Sequence, residues 1–227
     1  LAGGEFKMWF LQPGLTFTDL ILKIIAILII TFLVLPLHEF AKAWVAYQLG
    51  DDTAKNEGNL TLNPLAHFSA SGAICMLLFN FGWSKPVTIN PNNFENPHRD
   101  MAFVALAGPI ANILASLVGG VLLNFTPFIP SSTAAILVSK FILAYIAIST
   151  YLTAIDLLPI PPMAGFQIIQ SFIPERIMIK YYKNISAITW IMILLILLGV
   201  FDGFIGLTQT VLYNFVIRAT HVPFFNV

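Results

Sequence analysis

The amino-acid sequence predicts an all-α polytopic membrane protein, with five or six transmembrane helices and a short β hairpin at the membrane edge. Three observations carry that reading. Hydrophobic residues make up 58% of the 227 positions and charged residues only 10%, and the mean hydropathy is +0.85. Apolar runs of about 20 residues recur, the length that crosses a hydrocarbon core of ~30 Å. One stretch, Lys85 to Phe94 (KPVTINPNNF), instead alternates apolar and polar residues around the β-branched Val87, Thr88 and Ile89. The length holds one compact transmembrane domain, residues 8–227, with no room for a separate soluble domain. Leu1 to Lys7 (LAGGEFK) reads as an expression remnant ahead of Met8 and is left out of the fold.

Span one runs from about Leu15 to Leu49. Its apolar part is Leu20 to Leu37, broken by Lys23, whose stem can snorkel to an interface. Pro36 is expected to kink it just before His38. The span is too long for a cleavable signal peptide and continues into polar residues, so it reads as a retained helix. Gly50 to Asn63 is polar and turn-rich, hence a loop. Span two, about Leu65 to Trp83, contains Ser69, Ser71 and Gly72 and is marginal alone. The expected hairpin follows. Span three, Met101 to Phe125, offers Gly108, Ala111, Ala115, Gly119 and Gly120 for close helix approach. Span four, about Thr133 to Leu158, ends at Pro159-Ile160-Pro161-Pro162, which cannot continue a helix. Non-helical backbone at that depth must be buried in protein or line a wet cavity. A short helix, Met163 to Phe172, a basic loop, Pro174 to Asn184, and span five, Ile185 to Phe201, come next. Leu207 to Arg218 is a sixth short span or an interfacial helix.

Charge and composition exclude several classes. Eleven basic and eleven acidic residues give zero net charge, and no basic patch is present, so the partner is membrane lipid and not nucleic acid. The single Cys75 rules out an internal disulfide and reads as a packing residue in an apolar run. Lys85, Arg99, Arg176, Lys180, Lys183 and Arg218 fall on the side of the N-terminus, and only Lys55 falls opposite. The positive-inside rule then places the N-terminus in the cytoplasm of a bacterial or archaeal cell, with the chain multi-pass in its membrane.

The chemistry centres on His38-Glu39-Phe40-Ala41-Lys42 at the inner end of span one. An HExxH motif puts two histidines on one helix face to hold zinc, with the Glu as general base. Here Lys42 stands at the second histidine's position, and a charged ammonium donates hydrogen bonds but cannot ligate a metal. A Lys buried at membrane depth needs a partner or loses its proton. Asp156, at the end of span four, and Glu39 are the two candidates. Asn112 and His67 are further polar residues, each able to serve packing or to line a cavity with Lys42 and Asp156.

Taken together, the strings are similar to the site-2 protease family of intramembrane zinc metalloproteases, in its short form without a PDZ domain. The matching segments, from about Leu37 to Phe172, are His38-Glu39-Phe40-Ala41 with Ala43-Trp44, Leu60 to His67 (LTLNPLAH), Gly82 to Val87 (GWSKPV), Ala107 to Asn112 (AGPIAN) and Leu157 to Pro162 (LLPIPP). The resemblance implies zinc held by both histidines of HExxH and by the Asp of a downstream LDG. On that pattern His38 is the only retained ligand and Glu39 a vestigial general base. Lys42 and Ala164 (in Met163-Ala164-Gly165) stand at the other ligand positions. Asp156 replaces an Asn, Phe166 a Gly, and Ser69-Ala70 an Asp-Pro. The resemblance also implies that a membrane-edge strand, here Pro86, Val87, Thr88 and Ile89, aligns extended polypeptide by β-addition, which needs no zinc.

Three functions follow. The first is a catalytically inactive pseudoprotease, without cofactor, that binds a transmembrane protein segment, with the Lys42 ammonium in place of zinc. The second is an active intramembrane metalloendopeptidase, with zinc on altered or engineered ligands that include Asp156. The third is a small transporter around the polar cavity, which no inverted repeat supports. Lys42, Phe166 and Ser69-Ala70 are unlike designed knockouts and read as natural divergence.

Overall fold

The computed structural model describes residues 16–79, 82–161, 163–170, 173, 177, 178, 181 and 183–220. Leu1 to Lys7, Pro162, most of the basic loop 174–184 and residues 221–227 lie outside the described residues. Helices α1 (Phe17–Ile29) and α2 (Leu35–Gln48) form one continuous rod through a π turn at Ile30–Val34. The one-turn α3 (Thr53–Asn56) follows, then α4 (Ala70–Phe79), α5 (Pro97–Leu123), α6 (Ser132–Asp156), α7 (Ala164–Ile169), α8 (Ile185–Leu197) and α9 (Asp202–Ala219).

Three helical stretches are long and apolar enough to cross a membrane: Phe17–Gln48, Pro97–Phe128 and Ser132–Asp156. These match spans one, three and four. The segments expected as spans two and five form shorter helices, of 10 residues in α4 and 13 in α8. At 1.5 Å per residue these reach about 15 and 20 Å, short of a full crossing. The 18-residue α9 carries Asp202, Gln209, Asn214 and Arg218, and so falls below a spanning helix in apolar character.

The β hairpin is a correction. Among the described residues no strand is present, and residues 82–90 form neither helix nor ladder. The alternation was real, but a strand needs a neighbour's backbone to bond to. Here other groups take the N–H donors. Lys85 N donates to the His67 carbonyl at 2.8 Å. Val87 N donates to Glu39 Oε2 at 2.9 Å and Asn90 N to Asp51 Oδ2 at 2.8 Å. The segment is a single extended strap, closed by a 3-10 turn at Pro91–Asn93.

In place of the kink expected at Pro36, the helix runs on through a π turn one turn earlier, at Ile30–Val34. Proline has no N–H, and its ring crowds the carbonyl four residues back. The wider turn at Ile30–Val34, where Leu35 N bonds the Ile30 carbonyl, relieves that region without stopping the helix. Its buried face, Ala26, Ile27, Ile30, Val34 and Leu35, packs with Met76, Ile148 and Leu152.

Helix α5 is central and packs on α2, α6, α7 and α9. Small residues make this possible. A Cβ on Gly108 would sit 2.3 Å from His38 Cε1, so the imidazole lies directly on the α5 backbone. At Gly119 an added Cβ would come within 2.9 Å of the Tyr145 ring. Further along, Leu123, Ile142, Ile146 and Val216 seal α5, α6 and α9.

Candidate functional site

Helix α2 brings His38, Glu39 and Lys42 to one cavity because positions three and four apart share a helix face. His38 is 8% and Glu39 4% exposed. The cavity measures about 490 Å³ and is also lined by Ser84, Asn112, Asp156 and Gln167, with Leu35, Leu152, Ile155 and Ile193 supplying apolar wall. Asp156 arrives at the last residue of α6. The chain then turns back, and the start of α7 packs on the turn. A Cβ on Gly165 would lie 2.3 Å from the Leu157 carbonyl oxygen and 2.5 Å from that of Leu158. This close return lets Ala164 N donate to Asp156 Oδ1 at 3.1 Å.

Within this shell the ionisable groups form a row. Lys42 Nζ lies 3.8 Å from Glu39 Oε1. His38 Nε2 lies 3.8 Å from the same oxygen and 3.7 Å from Asp156 Oδ2. The ammonium therefore faces Glu39, while Asp156 faces the imidazole. All three separations exceed hydrogen-bond length.

The hydrogen bonds of Glu39 go elsewhere. Ser84 Oγ donates to Oε1 at 3.1 Å, and Val87 N donates to Oε2 at 2.9 Å. Both oxygens thus hold the 82–90 strap against α2. Three buried atoms nearby have no hydrogen-bond partner among the described residues: His38 Nδ1, Asn112 Oδ1 and Asp156 Oδ2.

His67 stands apart from the cavity lining. It is 1% exposed, and its Nε2 bonds the Thr61 carbonyl at 2.9 Å, while its own carbonyl takes Lys85 N. It braces the loop that carries the strap. Pro86 lines the cavity, Val87 is buried with Ala43 and Ala54, Thr88 is exposed and Ile89 half-buried.

Ser84, in the Gly82-Trp83-Ser84 string, donates to Glu39, a role for which the sequence holds one hint, the nearby Pro86, which disfavours helix before it. Asp51 belongs to no motif of the sequence. It is fully buried and accepts from Thr53 N at 3.1 Å, Asn90 N at 2.8 Å and Asn93 Nδ2 at 2.7 Å. Burial opposes its charge, but the hydrogen bonds from Thr53, Asn90 and Asn93 outweigh it and hold the carboxyl below its ordinary range. The Asp-Asp-Thr turn after α2 was the available signal.

The fold and site define a helical membrane protein with a row of ionisable side chains packed beside an interhelical cavity. The chain is 35% identical over 163 residues to "Putative zinc metalloprotease YwhC" of Bacillus subtilis (strain 168), across 70% of this chain and 74% of that protein. The chain belongs to the family of that metalloprotease, in agreement with the site-2-protease-like character of its motifs. No family model matches the chain, and no solved structure does.

Proposed function

We propose that this chain is a pseudoprotease: a metalloprotease-like membrane scaffold that binds a transmembrane partner and does not cut it. The observation that carries this is the state of Glu39. A general base must face a water beside the substrate, whereas both Glu39 oxygens receive hydrogen bonds from the strap and one also faces the Lys42 ammonium.

The donor set does not fit a catalytic zinc ion, which takes three protein ligands and an open position. His38 offers one nitrogen and Asp156 one carboxylate oxygen, which is fewer than three ligands while both Glu39 oxygens are held by the strap; Lys42 offers a cation, and Ala164 offers no side-chain ligand. Among the described residues no group of three or more His, Cys, Asp or Glu side chains is placed to hold a metal. Lys42 then supplies, as a fixed ammonium, part of the positive charge that a metal would bring beside two carboxylates. The strap at 86–89 and the apolar wall are the parts that serve a bound, locally unwound segment. The shorter helices α4, α8 and α9 complete a bundle of five or six membrane segments, with the N-terminus on the cytoplasmic side of a prokaryotic cell membrane.

The test is elemental analysis of the purified chain beside the double substitution Lys42→His, Ala164→Asp. The expected result is zinc well below one per chain in the natural sequence and close to one in the double variant. One zinc per chain in the natural protein, or chelator-sensitive cleavage of a transmembrane peptide, overturns the proposal and favours the metalloendopeptidase.

A further inference from the structure

Helix α9 leaves one face uncovered toward its C-terminal end. Val211, Asn214, Phe215, Arg218 and Ala219 recur at helical spacing, are all exposed, and line a groove of about 570 Å³. The other face is buried. Val216 packs with Leu123 of α5 and with Ile142 and Ile146 of α6, and Asn124 Nδ2 donates to the Thr220 carbonyl at 3.1 Å. These contacts set the depth of the groove. Lys140, just before Ile142, pairs with Asp19 at 3.1 Å, so Arg218, in the last turn of α9, lies where α1 and α6 also carry charge. Deeper along the helix α9 exposes Phe215, Val211, Leu207 and Phe204. That apolar flank stands beside α5 and α6, both long enough to cross a membrane.

Two polar side chains of this face lack a partner. Neither Asn214 nor Arg218 makes a side-chain hydrogen bond or ion pair among the described residues. A guanidinium is always charged and presents a planar fork that matches phosphate. An amide facing hydrocarbon costs free energy until it meets polar groups. Asn214 sits one turn deeper than Arg218, about 6 Å along the axis, and the headgroup layer of one leaflet is about 5–8 Å thick. In order of depth the face therefore offers a cation, an amide and an apolar trough. A soluble anion matches only the first of these, and an apolar helix only the last. A phospholipid presents phosphate, ester carbonyls and hydrocarbon in that same order. A zwitterionic headgroup carries its own cation beside the phosphate. An arginine with no carboxylate beside it among the described residues thus favours a lipid of net negative charge.

We propose that this face of α9 binds one anionic phospholipid, with its phosphate on Arg218, an ester carbonyl on the Asn214 amide and an acyl chain along Phe215 and Val211. The site is separate from the cavity and independent of what the cavity binds. The test is native mass spectrometry of the full chain, released from nanodiscs that contain equal amounts of phosphatidylglycerol and phosphatidylcholine. One phosphatidylglycerol per chain is expected to stay bound where phosphatidylcholine is stripped. Arg218→Gln weakens that retention about tenfold, the loss of one charge-assisted contact. Arg218→Lys keeps the preference for the anionic lipid. Asn214→Leu weakens retention about fivefold without altering the preference. Lys140→Gln, which removes another exposed cation at the same end, leaves retention unchanged. Three outcomes overturn the proposal: equal retention of the two lipids, a loss in Lys140→Gln as large as in Arg218→Gln, or paired chains that carry no lipid.

Discussion

The pairing of Glu39 with Lys42 can be tested by a double-mutant cycle, because the structure assigns each partner a different set of contacts. Glu39→Gln removes the charge facing Lys42 and leaves one amide N–H₂ opposite Ser84 Oγ or Val87 N. Hydrogen bonds to a charged group contribute about 1.5–3 kcal/mol each, and stranding a buried partner costs about 3–5 kcal/mol. Retention of one amide oxygen places Glu39→Gln near the lower bound, at about 3 kcal/mol of destabilisation. Lys42→Met strands a carboxylate that keeps both its hydrogen bonds, at about 2 kcal/mol. The double variant removes both members of the pair and should cost about 3 kcal/mol instead of the additive 5, a coupling of about 2 kcal/mol. Denaturant unfolding in detergent gives the energies. Cys75, the single cysteine and half-buried, serves as the reporter through a fluorogenic thiol dye. Additivity within about 0.5 kcal/mol would refute the pairing. The same series speaks to function. In a working zinc enzyme the Glu→Gln change stops chemistry and leaves the fold alone, whereas here it should loosen the strap.

Two further outcomes follow from other contacts. The lowered carboxyl of Asp51 makes a contribution that is fully present above the ordinary carboxylate range, near 3.9, and is lost as the pH falls through the lowered value. The unfolding midpoints of the natural chain and Asp51→Asn should therefore lie apart at neutral pH and converge in acid; a gap that persists unchanged to pH 3 would contradict the assignment. Gly108→Ala places a methyl 2.3 Å from His38 Cε1. It should destabilise by about 1–3 kcal/mol through overpacking, with Ile110→Ala on the exposed face of α5 as a control that changes little.

Much of this was legible because hydropathy and motif spacing act locally. Phe17–Gln48, Pro97–Phe128 and Ser132–Asp156 emerged near their expected limits because long apolar runs leave the backbone no alternative to helix. The strings around His38, Asn112 and Asp156 lead to residues that line one cavity. What did not carry over depends on partners distant in sequence. Lys85 to Phe94 has strand-like alternation, but whether it pairs with a strand or a side chain depends on Glu39 and Asp51, some 40 positions away. Period alone could not choose between them. The same holds for Lys42. Two carboxylates were within plausible reach, and Glu39 faces it because three residues on a helix is a fixed distance, while Asp156 is drawn to Ala164 N and His38. His67 went from cavity candidate to loop brace for a similar reason, since its acceptor, the Thr61 carbonyl, has no sequence signature.

The π turn at Ile30–Val34 bears on how the two halves of this rod could vary in sequence independently. A hydrogen-bonded loop one residue wider than its neighbours acts as slack between two rotational frames. Upstream, the exposed Ile21, Ile25 and Leu28 keep α1 in phase with lipid. Downstream, α2 keeps its own phase against Gly108. Substitutions that alter the lipid-facing half need not turn His38 and Glu39, and substitutions around Lys42 need not disturb anchorage in the bilayer. A joint of this kind lets the two halves of one rod accumulate changes separately.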